Sequence, residues 1–193
     1  MKLAIIKYNA GNIQSVLYAL ERIGMDAMVT DDHEQIRLAD KVIFPGVGEA
    51  STAMHYLRER KLDTLIKGLQ QPVLGICLGM QLMCTHTEEN NTDCLGIFDT
   101  PVKKFSGGLK IPQIGWNSAT ETGTPLFKNI ADPAYFYFVH SYYAGLCDET
   151  AAVTEYTRRF SSALQKDNFY GVQFHPEKSA EAGEQLLKNF IEL

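Results

Sequence analysis

Apolar residues in this chain come in short continuous runs separated by stretches with helical spacing. Residues 3–7, Lys41-Val42-Ile43-Phe44 and Val73-Leu74-Gly75-Ile76 are too short for core helices. They also lack the alternation of a half-exposed strand, so they read as strands buried on both faces. Residues 25–30 supply a further strand. Between the runs, Ile13, Val16, Leu17 and Leu20 recur at helical spacing up to Gly24, and residues 51–62 and 63–69 form helical patterns with charged outer faces. This alternation of strand and helix predicts an α/β fold with a mostly parallel central sheet and helices on both faces.

The pattern changes between residues 98 and 156, where short β-rich runs are punctuated by Ser106-Gly107-Gly108 and Glu121-Thr122-Gly123-Thr124-Pro125. These read as antiparallel hairpins extending one edge of the sheet within the same domain. Residues 135–143 are aromatic and alternating, a strand ending in His140-Ser141-Tyr142. Ala182, Leu186, Leu187, Phe190 and Ile191 give a last helix one apolar face, with Ser179 as its N-cap. Repeats, low-complexity segments and linkers are absent, so residues 1–193 read as a single domain.

Composition excludes several classes. With 45% hydrophobic and 21% charged residues, neither a disordered chain nor a disulfide scaffold is indicated. A net charge of −5 without a basic run argues against nucleic acid as a partner. No apolar run approaches membrane-spanning length, and the first residues read as a strand rather than a signal peptide, so no membrane is expected. Cys77, Cys84, Cys94 and Cys147 form no CxxC pair and no zinc spacing. A reducing cytoplasm is the expected location, and it keeps a reactive thiol usable.

Candidate chemistry lies where the third apolar run meets a helical pattern, in Gly75-Ile76-Cys77-Leu78-Gly79-Met80-Gln81. A cysteine with glycines two before and two after it fits a nucleophile elbow, the strained strand-to-helix turn that needs small residues where backbones crowd. The following helix points its positive N-terminus at Cys77, which favours negative charge on sulfur. The Leu78 N–H is well placed for an oxyanion. A buried core cysteine is the competing reading, and a partner base decides between them. Cys84, seven residues on, reads as core.

Phe169-Tyr170-Gly171-Val172-Gln173-Phe174-His175-Pro176-Glu177 supplies the base. Val172 and Phe174 read as strand, Pro176 ends it, and His175 projects from the terminus. Glu177 can accept from the second imidazole nitrogen and fix the tautomer. Cysteine, histidine and carboxylate then repeat the logic of a serine triad with a softer nucleophile. His140 is a rival base, ranked second because only His175 has a carboxylate two residues away.

These two motifs resemble those of the class I (triad) glutamine amidotransferases. Pro45-Gly46-Val47-Gly48, Ile114-Gly115-Trp116-Asn117 and Phe138-Val139-His140-Ser141-Tyr142 narrow the resemblance to the glutaminase subunits of imidazole glycerol phosphate synthase, from about Lys2 to the C-terminus. The resemblance implies a flavodoxin-like sheet, a glutamine amidotransferase type 1 domain, and hydrolysis of L-glutamine to glutamate and ammonia. It implies no metal and no organic cofactor. The implied catalytic set is Cys77, His175 and Glu177, with backbone N–H groups of Val47, Gly48 and Leu78 as the oxyanion hole. Gly48, Gln81, Glu89, Ser141 and Tyr142 would bind substrate, Glu89 receiving the α-ammonium group with Glu88 beside it.

A separate cyclase (synthase) subunit would form a heterodimer with this chain and use the ammonia. It would meet Asn12 in the turn 8–12, Trp116 and Lys178. Lys7 and Asn9 stand where the family usually shows an acidic residue and a glycine; Asn tolerates a left-handed backbone there. Three other readings stay open: the glutaminase subunit of another synthase such as anthranilate synthase, a free-standing cysteine hydrolase of γ-glutamyl bonds, and a catalytically silent relative, which should lack a triad member.

Overall fold

Runs of apolar residues without alternation need cover on both faces, and the fold provides it. The computed structural model describes residues 1–9, 12–120 and 122–193. The expected turns at 8–12 and 121–125 are therefore seen only in part, since Ala10, Gly11 and Glu121 lie outside the described residues. The first half of the chain gives β1 (Leu3–Ile6), α1 (Ile13–Arg22), β2 (Met28–Thr30), α2 (His33–Arg37), β3 (Lys41–Phe44), α3 (Ala50–Glu59), α4 (Leu62–Lys67), β4 (Val73–Ile76) and α5 (Leu78–Met83). After these come β5 (His86–Thr87), β6 (Thr92–Asp93), β7 (Val102–Lys104), β8 (Gln113–Ala119), β9 (Ala134–His140), β10 (Tyr142–Ala144), β11 (Thr150–Tyr156), β12 (Arg158–Lys166), β13 (Phe169–Val172) and α6 (Ala180–Glu192).

Strands β2, β1, β3, β4 and β13 lie side by side in that order and run parallel, with Ile43 opposite Leu74 and Gly171 opposite Gly75. Every residue of β1, β3, β4 and β13 is buried. Ala4, Ile6, Val42, Phe44 and Val73 meet Ile36 of α2, Met54 and Leu57 of α3, Ile66 of α4 and Met80 of α5 on one face. Leu3, Ile5, Ile43, Leu74 and Ile76 meet Val16 and Leu20 of α1 and Leu186 and Phe190 of α6 on the other. The period of two along each strand sends neighbouring side chains into two different cores, as parallel strands between helical layers require. Among the described residues no helix is long and apolar enough to cross a membrane.

Beyond β13 the sheet continues antiparallel through β12, β10 and β7, with β11 paired on β12. This is the expected antiparallel edge. The sheet then ends in β5, parallel to β7, and β6. β8 and β9 form a separate antiparallel pair, joined to β11 by the bridge between Thr120 and Val153.

Several expectations need adjusting. The strand expected over 135–143 is two strands, because the chain leaves the small sheet after His140 and enters the large one at Tyr142. The strand expected at 25–30 starts at Met28. Phe174 lies beyond β13, which stops at Val172: Gln173 N still donates to Ser162 O of β12, but His175 N donates to Tyr137 O of β9. The chain there crosses from one sheet to the other. Ser179 precedes α6 without capping it through its side chain. Its hydroxyl instead accepts from Tyr137 N–H at 2.9 Å and donates to the His175 carbonyl at 2.7 Å, pinning the turn that carries His175.

Candidate active site

Cys77 follows β4 and opens α5 with φ 53° and ψ −107°, a backbone region that costs a side-chain-bearing residue strain. The neighbouring glycines make the elbow possible. A Cβ on Gly79 would lie 1.9 Å from the Phe44 carbonyl oxygen, and one on Gly75 would lie 2.8 Å from the Met80 amide nitrogen. Strand β3 and helix α5 thus pack backbone against backbone, and the thiol is left at the end of the parallel strands.

His175 reaches the same point from the crossover after β13. The short 3-10 turn Pro176–Lys178 folds Glu177 back beneath the ring, and Glu177 Oε1 accepts from His175 Nδ1 at 2.7 Å. Both side chains are almost wholly buried. With Nδ1 occupied, Nε2 is the nitrogen left for the sulfur; both side chains line one cavity, where the Cys77 thiol lies 3.8 Å from the Val139 carbonyl oxygen. Burial opposes charge on His175. The neighbouring Cys77 sulfur and the Glu177 carboxylate outweigh that and raise the imidazole to about 10. In Cys77→Ala the largest raising influence is gone, so the His175 ring is expected to titrate well below the parent value when followed by NMR. A ring that still titrates near 10 would show that the sulfur does not hold its proton.

The rival, His140, is differently employed. Its Nδ1 lies 2.7 Å from the Tyr142 carbonyl and its Nε2 2.9 Å from Gln113 Oε1. Burial, against the Tyr142 hydrogen bond, lowers it to about 4. It ends β9 at the wall of the cavity, edge-on to Phe105, with both ring nitrogens engaged. Cys84 is fully buried, its thiol donates to Met80 O, and burial pushes its titration well up.

A cavity of about 330 Å³ brings together Val47, Gly48, Cys77, Leu78, Gln81, Glu89, Ser141, Tyr142, His175 and Lys178. Glu177 stays behind His175. Glu88 and Glu89 divide cleanly: Glu88 accepts from Lys104 N on β7, whereas Glu89 faces the cavity and accepts from Ala50 N at the start of α3. Burial raises Glu89, partly countered by that backbone bond. Tyr142 is raised by burial and then by the charges of Glu89, Glu88 and Glu49, which marks this end of the cavity as acidic. Positive charge is favoured there.

Gln81 is buried, and its amide nitrogen donates to Tyr142 O at 3.0 Å and to Gln173 Oε1 at 2.9 Å. Both of its N–H groups are thereby used, leaving the amide oxygen as the group Gln81 can turn to a ligand. Ser141 O and Tyr142 O likewise already accept bonds from Phe105 N and from Gln81 and His140. Leu78 N–H, expected to meet an oxyanion, donates to Gly46 O at 3.2 Å. Gly48 has φ +135° with open space around it, a backbone that glycine adopts readily.

The three residues assigned to a partner face are spread around this end. Lys178 is exposed and borders the cavity. Trp116 is 54% exposed on β8, edge-on to Tyr137. Asn12 has the left-handed backbone of its turn, φ 73°, while Asn9 donates from its side chain to Thr52 O.

Two buried polar residues at the site were not singled out from the sequence. The Tyr8 hydroxyl donates to the Pro45 carbonyl, and the Gln173 amide nitrogen lies 3.6 Å from Cys77 Sγ. For Gln173 the signal was present: a polar residue between Val172 and Phe174 in an apolar run, which burial must satisfy with a partner.

Comparison with known proteins agrees with this geometry. The family model "Glutamine amidotransferase class-I" matches residues 4–193. The chain is 60% identical to the imidazole glycerol phosphate synthase subunit HisH of Bacteroides fragilis, with both chains covered completely. It is 50% identical, again over all of both chains, to the subunit of the same name from Escherichia coli K12. Among solved structures, a glutamine amidotransferase superposes with TM-score 0.75 at 17% identity, covering 98% of this chain and 97% of that one. PurLQS from Thermotoga maritima superposes with TM-score 0.71 at 16% identity, covering 99% and 97%. At such identities these structures speak for the fold.

Proposed function

Because the chain belongs to the class-I glutamine amidotransferases, we propose that it hydrolyses L-glutamine and passes the ammonia to a cyclase subunit of imidazole glycerol phosphate synthase. That partner would form imidazole glycerol phosphate and an aminoimidazole carboxamide ribonucleotide for histidine biosynthesis, in the cytoplasm. The observation that carries the reading is the Cys77–His175–Glu177 arrangement opening into one acidic-ended cavity. Full-length identity to the HisH subunits supports the partner. Residues 1–193 are taken as one amidotransferase domain, since β12, β10 and β7 continue the parallel sheet and β8–β9 bridges to β11.

In this mechanism Glu89 holds the substrate's α-ammonium group and the side-chain amide points at Cys77. The sulfur attacks the amide carbon, and the charge that develops on oxygen is taken by backbone N–H groups at Leu78 and at Val47–Gly48. His175 gives its proton to the departing nitrogen, which leaves as ammonia, and a γ-glutamyl thioester remains on Cys77. His175 then takes a proton from water, the resulting hydroxide opens the thioester, and glutamate leaves with the sulfur free again. Glu177 keeps the ring oriented through both steps. Gly46 O must first release the Leu78 N–H, because a donor already engaged at 3.2 Å cannot serve a second acceptor well.

Assayed with the cyclase subunit, the chain is expected to yield glutamate and ammonia in equal amounts. His175→Ala should lower glutamine turnover by roughly 10³-fold or more, and Glu177→Gln by roughly 10²–10⁴-fold. Equal damage from a folded His140→Ala would reassign the base. A turnover indifferent to Glu177 would remove it from the triad.

A further inference from the structure

We propose that Gln173 is a positioning residue of this reaction: its side-chain amide donates to the Cys77 sulfur and holds it toward His175 and the cavity. The orientation of the amide follows from a chain of contacts with one unambiguous end. The Tyr142 carbonyl can only accept, and Gln81 Nε2 lies 3.0 Å from it. Gln81 therefore presents its nitrogen at this point. The same nitrogen lies 2.9 Å from the Gln173 side chain, so the Gln173 atom facing it has to be the oxygen. The reverse orientation would set two NH₂ groups against each other. Gln173 Nε2 is thereby turned to Cys77 Sγ, 3.6 Å away.

Among the described residues no other acceptor takes a hydrogen bond from that nitrogen. Gln81 borders the cavity, whereas Gln173 is fully buried, so water does not reach its amide. Its backbone is fixed as well, with Gln173 N donating to Ser162 O on β12. The Val139 carbonyl also approaches the sulfur, at 3.8 Å, and His175 lines the same cavity two residues after Gln173, so one short segment carries both the amide donor and the base.

An amide donor gains little from a neutral thiol or a thioester and much more from a negatively charged sulfur. The contact therefore strengthens when sulfur is about to attack, and again when the thioester opens, which is where a bond assists turnover rather than binding. The inference rests on Cys77 being the nucleophile, and the test separates the two ideas. It also gives Gln81 a second duty, since Gln81 is what keeps the Gln173 amide from rotating.

The test uses the full chain, with alkylation of Cys77 by iodoacetamide followed across pH by peptide mass spectrometry. In Gln173→Met, which keeps the length and removes the donor, alkylation below the plateau is expected to slow about tenfold and the profile to move to higher pH. With the cyclase subunit present, kcat for glutamine should fall about tenfold while KM stays within about twofold. The unmutated protein supplies a second readout: the ¹⁵N side-chain amide resonance of Gln173 should shift with pH alongside Cys77 alkylation, and should be flat in Cys77→Ala. A folded Gln173→Met with the parent alkylation profile overturns the proposal, as does a Gln173 amide indifferent to pH in the parent protein. Glutamine turnover surviving in Cys77→Ala would instead overturn the reading of Cys77, whatever the Gln173 amide does.

Discussion

Cys77→Ala is expected to abolish glutamine hydrolysis, while the complex with the cyclase subunit still makes product from added ammonia. The loss should be about 10³- to 10⁶-fold, because a covalent mechanism without its nucleophile keeps only what binding and oxyanion donors supply. The substitution should be structurally mild. It removes one sulfur from the rim of a cavity, and the glycines that permit the elbow, Gly75 and Gly79, stay in place. Ammonia use should persist, since the acceptor chemistry is assigned to the partner. Cys84→Ala makes the control: that thiol is fully buried at the far end of α5 and donates to Met80 O, so its loss should lower Tm and spare turnover. A loss well short of about 10³-fold in Cys77→Ala, or an equal loss of turnover in a folded Cys84→Ala, would remove Cys77 from the role.

What the sequence revealed of this site follows from where its chemistry is written locally. A cysteine between Gly75 and Gly79, and a carboxylate two residues after a histidine with Pro176 between them, encode geometry within a few residues. The elbow and the His175–Glu177 bond were accordingly legible. So was the parallel sheet, since runs such as Val42-Ile43-Phe44 have no polar face to give to solvent. The remainder is encoded by contacts distant in sequence. Gln81 meets Gln173 across 92 positions and Tyr8 meets Pro45 across 37, and no local pattern announces either pair. Strand β12 went unread because its buried centre includes Ser161, Ser162 and Ala163, residues with little strand preference that are held by neighbours on both sides. Helix α2 buries only Ile36, so it shows no apolar stripe; its signal is the Asp32 side chain capping Gln35 N. Ser179 looked like a cap, and its hydroxyl was drawn instead to the backbone of the His175 turn.

The isolated chain is expected to be a poor glutaminase, rising by roughly 10²–10³-fold when the cyclase subunit and its nucleotide ligand are present. The reason lies in the loop after β3. An oxyanion hole needs two free N–H groups, and the Leu78 N–H is held by Gly46 O at 3.2 Å. The Tyr8 hydroxyl fastens the same loop through the Pro45 carbonyl, and a Cβ on Gly46 would collide with that hydroxyl at 2.2 Å. Tyr8 belongs to the segment leading to Asn12, and Lys178 follows Glu177 directly. Half-buried Asn12 and exposed Lys178, both assigned to the partner face, thus lie near Tyr8 and next to Glu177 in the chain. A partner that binds the released loop more tightly than the closed one shifts the equilibrium by that difference in affinity and no more. Coupling of this kind has a chemical purpose: ammonia freed near neutral pH is mostly protonated and no longer nucleophilic, so hydrolysis without a waiting acceptor wastes glutamine. The measurement is kcat/KM for glutamine on the chain alone, with the cyclase subunit, and with that subunit plus its nucleotide. Tyr8→Phe, which frees the Pro45 carbonyl, should raise the basal rate of the isolated chain and narrow the gap. Full activity in the isolated chain would sink the coupling and favour a free-standing hydrolase. Activation only by an anthranilate-type synthase would keep the loop argument and replace the partner.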